Sequence, residues 1–190
     1  SNTGNVGIGT ATPGSALEWH RILAATRLAS NEPETAISGL LELAKQRGAG
    51  VLGAPELEIL ARASARLPDS PELRRLLHSR LRELERASEV GPREKLGLAA
   101  LLAARRWRMA GGRREAVELY GLAFRSLPDG ALRSQAGYWA GRLGAKPEAA
   151  RAQLVATAAL AESPFTRLAQ REIELRDLRA QLGLSQAGGP

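Results

Sequence analysis

The densest chemistry-bearing stretch of this chain is Arg105, Arg106, Arg108, Arg113 and Arg114, which meets no acidic neighbour until Glu115. A guanidinium is permanently charged and offers paired N–H donors, so it suits two-pronged recognition of carboxylates or phosphates. Two uses compete for the cluster: a docking patch for acidic groups, or a solvated helix face. Trp107 lies within it, at a position that reads as packing rather than as a platform for stacked bases. No other set assembles a reaction. His20 and His78 are the only histidines, lie far apart in sequence and have no cysteine companions, which argues against a metal or triad centre. Glu83/Glu85 and Glu172/Glu174 are spaced so that their members fall on different helix faces, and Arg82, Arg86, Arg171 and Arg176 interleave with them. They read as solvation, not as an acid and a base. Residues 4–10 are glycine-rich but lack the Lys-Ser/Thr ending of a phosphate loop. The expectation is therefore no catalytic residue, no metal and no cofactor.

Composition says what must carry these side chains. A chain of 190 residues can bury one sizeable core or form one elongated array. Alanine, leucine, arginine and glutamate abound, β-branched residues are sparse and aromatics make up 4%, a balance that favours helix throughout. The net charge is +7 and the isoelectric point about 10.9. Only Lys45, Lys95 and Lys146 are lysines, so arginine supplies nearly all of the basic charge. Such a surface favours acidic partners, whether peptide, nucleic acid, wall polymer or anionic lipid. Against nucleic acid stand the lack of a known module and of aromatic–basic alternation. There is no cysteine, so disulfides and thiolate metal sites are excluded. No apolar run approaches the ~20 residues needed to cross a bilayer. The Ser1-Asn2 start, without methionine, reads as trimmed, as after loss of a signal peptide or a further domain.

The order of elements follows from punctuation. Residues 1–14 read as an extended glycine-rich lead-in and 185–190 as a flexible tail. Between them, residues 15–184 form one helical domain, with helices predicted over 15–29, 33–47, 55–67, 71–88, 92–110, 113–127, 131–143, 147–162 and 164–182. Prolines mark many of the starts, where a missing N–H costs nothing. Asn31, Ser70 and Ser163 are placed to cap, and Gly48, Gly91, Gly111, Gly130 and Gly144 to stop. Apolar stripes support the assignment: Leu57, Leu60, Ala61 and Ser64; Leu73, Leu76, Leu77, Leu81 and Leu84; Leu96, Ala99, Ala100, Ala103, Ala104 and Trp107. Short loops force successive helices to run antiparallel. The spacing of Ala116, Tyr120 and Ala123 is repeated by Ala36, Leu40 and Leu43, so stacked pairs of variable length are expected.

Three resemblances follow. Ala100, Ala104, Trp107, Ala116, Tyr120, Ala123 and Pro128 match the signature spacing of a tetratricopeptide repeat, with Ala103 smaller than that family prefers. The resemblance implies a right-handed α-solenoid of about four antiparallel helix pairs, with Arg105 and Arg108 facing a concave groove. Residues 133–142, with Tyr138-Trp139, followed by Ser163-Pro164-Phe165-Thr166 and Leu168-Ala169, are similar to the helical superhelix of soluble lytic transglycosylases. That likeness implies a bacterial periplasmic setting near peptidoglycan machinery. Glu162-Ser163 matches the catalytic dipeptide of those enzymes, but Pro164 follows at a helix boundary and nothing resembles their lysozyme-like domain. Residues 4–10, with Pro13 and Leu17-Glu18, are similar to a motif of trimeric phage-type fibres. The leading expectation is an all-α, non-enzymatic interaction scaffold holding a peptide or helix, acidic in character, at Arg105 and Arg108. The alternatives are the superhelical part of a lytic transglycosylase without its catalytic domain, or the helical tip of a fibre.

Overall fold

A computed structural model describes residues 16–87 and 92–184. Among them no strand occurs. Nine α-helices follow one another: α1 (Ala16–Ala29), α2 (Pro33–Arg47), α3 (Ala54–Ser64), α4 (Pro71–Arg86), α5 (Arg93–Met109), α6 (Arg113–Ser126), α7 (Ala131–Leu143), α8 (Pro147–Ala158) and α9 (Pro164–Gln181). A single 3₁₀ turn, Ala49–Val51, leads into α3. The expectations for residues 1–14, for Gly91 and for residues 185–190 lie outside the described residues.

Proline opens α2, α3, α4, α8 and α9, and Pro92 stands just before α5. Ser70 caps α4, its hydroxyl accepting from the Leu73 N–H at 3.3 Å. Ser163 caps α9 by accepting from the Thr166 N–H at 3.1 Å, while Thr166 Oγ1 accepts from the Ser163 N–H at 2.8 Å. These are reciprocal uses of otherwise orphaned donors. Asn31 departs from its expected role: it ends α1 instead of starting α2. It takes a φ of 62°, its N–H reaches the Leu28 carbonyl, and the Glu32 N–H reaches that of Arg27 at 2.8 Å. That pair of bonds is a Schellman closure, and asparagine tolerates the left-handed backbone it requires. Gly111, at φ 80°, closes α5 in the same way, with the Gly112 N–H on the Trp107 carbonyl at 2.8 Å. Helices α3 and α8 stop earlier than the spacing predicts. Leu67 and Leu160 donate to Ser64 and Thr157, three residues back, so the last turn tightens and then breaks.

Substantial contacts join each helix only to helices one or two places away in chain order. The architecture is therefore an all-α, helical-repeat-like stack, with its core strung along successive seams. Leu40, Leu57, Leu60, Leu81, Leu119 and Tyr120 are fully buried. So are Ala100, Ala104, Ala116 and Ala123, the small residues of the signature positions. On α7, Gly137 and Gly141 bring the backbone against its neighbours. A Cβ at Gly137 would lie 2.2 Å from Thr157 Oγ1, and one at Gly141 would lie 2.7 Å from Leu154 Cγ and 3.0 Å from the Ala150 carbonyl oxygen.

Candidate functional site

The arginine cluster does not survive as a single patch. Successive residues of a helix point about 100° apart, so Arg105, Arg106 and Arg108 leave α5 in different directions. Arg106 turns toward the end of α3 and donates to the main-chain carbonyls of Ser64, Leu67 and Pro68. Arg113 donates to the Leu143 carbonyl at the end of α7, at 2.7 Å. Arg114 is exposed and pairs loosely with Glu118 at 3.7 Å. Carbonyl capping recurs elsewhere. Arg66 reaches Leu28 at 3.0 Å, Arg80 reaches Gly50 and Leu52 at 3.1 Å, and Arg176 reaches Gly141 at 3.3 Å. A helix C-terminus leaves carbonyls without partners and carries partial negative charge, so a cation from a neighbouring helix stabilises it twice over.

Arg105 and Arg108 remain, and they are brought together toward α7. Arg105 donates to the Gln135 side-chain oxygen. The Arg108 guanidinium lies 3.9 Å above the centre of the Trp139 ring, and that of Arg142 lies 5.5 Å from the same ring. Arg142 also donates to the Tyr138 hydroxyl at 2.7 Å. Arg105 and Arg108 are half-buried and form no ion pair among the described residues. Trp139 stacks in turn on Tyr120 at 6.5 Å and meets Tyr138 edge-on at 5.3 Å. Aromatic stacking and a neutral amide thus hold the two guanidiniums in place while leaving their charge uncompensated. Beneath them the Tyr120 phenol is fully buried. Burial raises its pKa above the ordinary value, opposed by the positive charges of Arg108 and Arg105.

Gln135, Trp139 and Arg142 were not singled out by the sequence reading as partners of this site. A usable signal was there: the spacing Ala100, Ala104, Arg105 returns as Gly137, Gly141, Arg142. Trp107 sits elsewhere, packed against the core under the Arg74 guanidinium at 4.6 Å and edge-on to His78 at 5.9 Å. His78 contacts Glu118 at 3.1 Å, whereas His20 lies in a crease between α1 and α2, so the two histidines share no site. Glu83 and Glu85 pair with Arg80, Arg82 and Arg125, and Glu172 pairs with Arg176. Glu162 is exposed, and the Ser163 hydroxyl is committed to capping α9. No group of three or more potential metal ligands forms among the described residues, and none of their helices is long and apolar enough to cross a membrane.

A second feature lies between α2 and α4. Ile37 and Leu41 face Leu73, Leu76 and Leu77 across a recess of about 480 Å³, with Leu67 and Pro68 closing one side. Exposed Glu34, Asp69 and Glu72 border it. Compared with protein-family models, with curated proteins and with solved structures, the chain matches none.

Proposed function

We propose that this chain is a non-enzymatic interaction scaffold: a right-handed α-solenoid of about four antiparallel helix pairs, similar to tetratricopeptide arrays, that binds an acidic peptide or helix on the face carrying Arg105 and Arg108. The carrying observation is the pair of half-buried guanidiniums, fixed by Gln135 and Trp139 but paired with no carboxylate among the described residues. Pre-positioned cations of this kind meet a carboxylate without losing further side-chain freedom, which favours two-pronged contacts. Arg142 extends the same positive strip along α7. The restriction of packing to near neighbours in chain order supports an open array over a closed bundle. Likeness of residues 133–142 to the superhelix of lytic transglycosylases favours a place near peptidoglycan machinery in the bacterial periplasm.

The test is a binding measurement. A glutamate-rich helical peptide, titrated against the wild-type chain and against the Arg105→Ala/Arg108→Ala variant, is expected to bind the variant at least tenfold more weakly, with unchanged helical circular dichroism. Equal affinity for the two would remove the site assignment.

A further inference from the structure

Helix α9 has two opposite faces. Phe165, Ala169 and Ile173 pack inward, in one cluster with Tyr138 of α7 and Leu154 of α8. On the far side Leu168, Leu175, Leu178 and Leu182 stand between 41 and 63% exposed. At about 100° per residue they fall within roughly 80° of arc, and they extend about 21 Å along the helix axis. They form one continuous row, which scattered surface leucines do not. Charge follows the same face. Arg171 lies within the row and Arg167 and Arg179 flank it on either side; all three are exposed and enter no ion pair among the described residues. The carboxylates of α9 offset little of this. Glu172 is taken by Arg176 at 3.1 Å and Asp177 by Arg151 at 2.9 Å. Glu174 alone has no ion-pair partner among the described residues, so the free groups of this face are three cations and one anion.

We infer that α9 lies with this face on an anionic phospholipid surface, its leucines set into the acyl boundary and Arg167, Arg171 and Arg179 against lipid phosphates. Such a helix rests in the interface and does not cross it, in keeping with the absence of a span among the described helices. The place of Arg171 selects the occupant. A protein helix seated on the leucine row would cover its guanidinium and strip it of water, a cost that only a matching carboxylate offsets. A second copy of this chain would bring an excess of like charges together at the same row. A headgroup layer instead presents phosphates all along the row, at the level reached by an arginine whose stem lies among leucines. The net charge of +7 draws the chain toward such a surface from a distance. This face is separate from the strip of Arg105 and Arg108, which lies between α5 and α7, so failure of either reading leaves the other standing.

The experiment is co-sedimentation of the full chain with vesicles of phosphatidylcholine alone, or of phosphatidylcholine and phosphatidylglycerol in equal parts. Wild type is expected to bind the anionic vesicles about tenfold more tightly than the neutral ones, or better, and to lose that preference in high salt. Arg167→Gln/Arg171→Gln/Arg179→Gln should weaken binding by about tenfold or more, and Leu175→Asp/Leu178→Asp should do likewise. Every one of these positions is exposed, and unchanged helical circular dichroism checks the fold. A charge-matched control on other helices, Arg62→Gln/Arg75→Gln/Arg114→Gln, also exposed, should weaken binding by less than about threefold. Equal weakening by that control, wild-type affinity in the aspartate variant, or no binding to anionic vesicles overturns the inference. So does sedimentation velocity showing a wild-type dimer that Leu178→Asp dissolves, since the row then belongs to a second copy. A glutamate-rich helical peptide whose binding is abolished by Leu175→Asp/Leu178→Asp overturns it too, in favour of a protein partner.

Discussion

At the seam of α7 with α8, Gly141 leaves no room even for a methyl group; between α2 and α4, aliphatic side chains look across a recess of about 480 Å³. Both regions are built from the same ingredients, short antiparallel helices rich in leucine and alanine. The difference is side-chain size at the crossing point. Gly97, Gly137 and Gly141 let side chains of the neighbouring elements come within 3 Å of where their own Cβ atoms would be. Gly39 of α2, which borders the crease toward α1 and not the recess, has nothing within 4 Å of its would-be Cβ. No substantial contact joins α2 to α4. The closed region builds rigidity and positions the guanidiniums, while the open one leaves Ile37, Leu41 and Leu76 only half-buried.

The comparison is broken most severely by emptying the closed half. Tyr120→Ala, at a fully buried position, is expected to cost about 3–5 kcal/mol in urea unfolding. Leu76→Ala, half-buried beside the recess, should cost less than about 1 kcal/mol. Similar losses at the two positions would mean that the recess is as well packed as the seam. Gly141→Ala should destabilise by about 1–3 kcal/mol, because one obstacle is the Ala150 carbonyl, which side-chain rotation cannot move. Chemical denaturation of that variant giving wild-type stability would show that α7 and α8 are not in such close contact. Arg106→Ala uncovers carbonyls at the end of α3 and is expected to lose about 1–2 kcal/mol, which Arg106→Lys restores only in part. Hydrogen exchange should localise that loss to residues near Ser64. The smallest effect carries the opposite sign. Gly39→Ala, with open space around the new methyl, should stabilise by about 0.5–1 kcal/mol through helix propensity alone, read as a higher thermal midpoint.

Helix starts were the most legible feature of the sequence, because proline and serine act locally: Pro33, Pro71, Pro147 and Pro164 each open a helix, and Ser70 and Ser163 cap theirs. The ends of α3 and α8 were harder to read, since tightening of a last turn leaves little trace in residue type. Asn31 illustrates another ambiguity: the same side chain serves at a helix beginning or in a left-handed closure, and bonds to the preceding helix settle which. Of the candidate site, Arg105 and Arg108 stood out from charge alone, but their partners did not. Gln135, Trp139 and Arg142 lie on another helix, and only the repeat of small residue, small residue, arginine linked the two. The recess was hidden altogether, since Leu73, Leu76 and Leu77 form an apolar stripe whether or not a helix covers it.

Residue types by themselves determined that this chain is helical, where most of its helices begin and which faces must be buried, because backbone propensity, capping and apolar period operate within a turn or two. Tertiary structure alone decided which arginines are consumed at helix ends, which are held against an aromatic ring, and which leucines are left half-buried beside a recess. Those outcomes depend on side chains that meet across tens of residues of sequence, where the direction of one helix relative to the next, and not its composition, sets whether a charge or an apolar surface finds a partner.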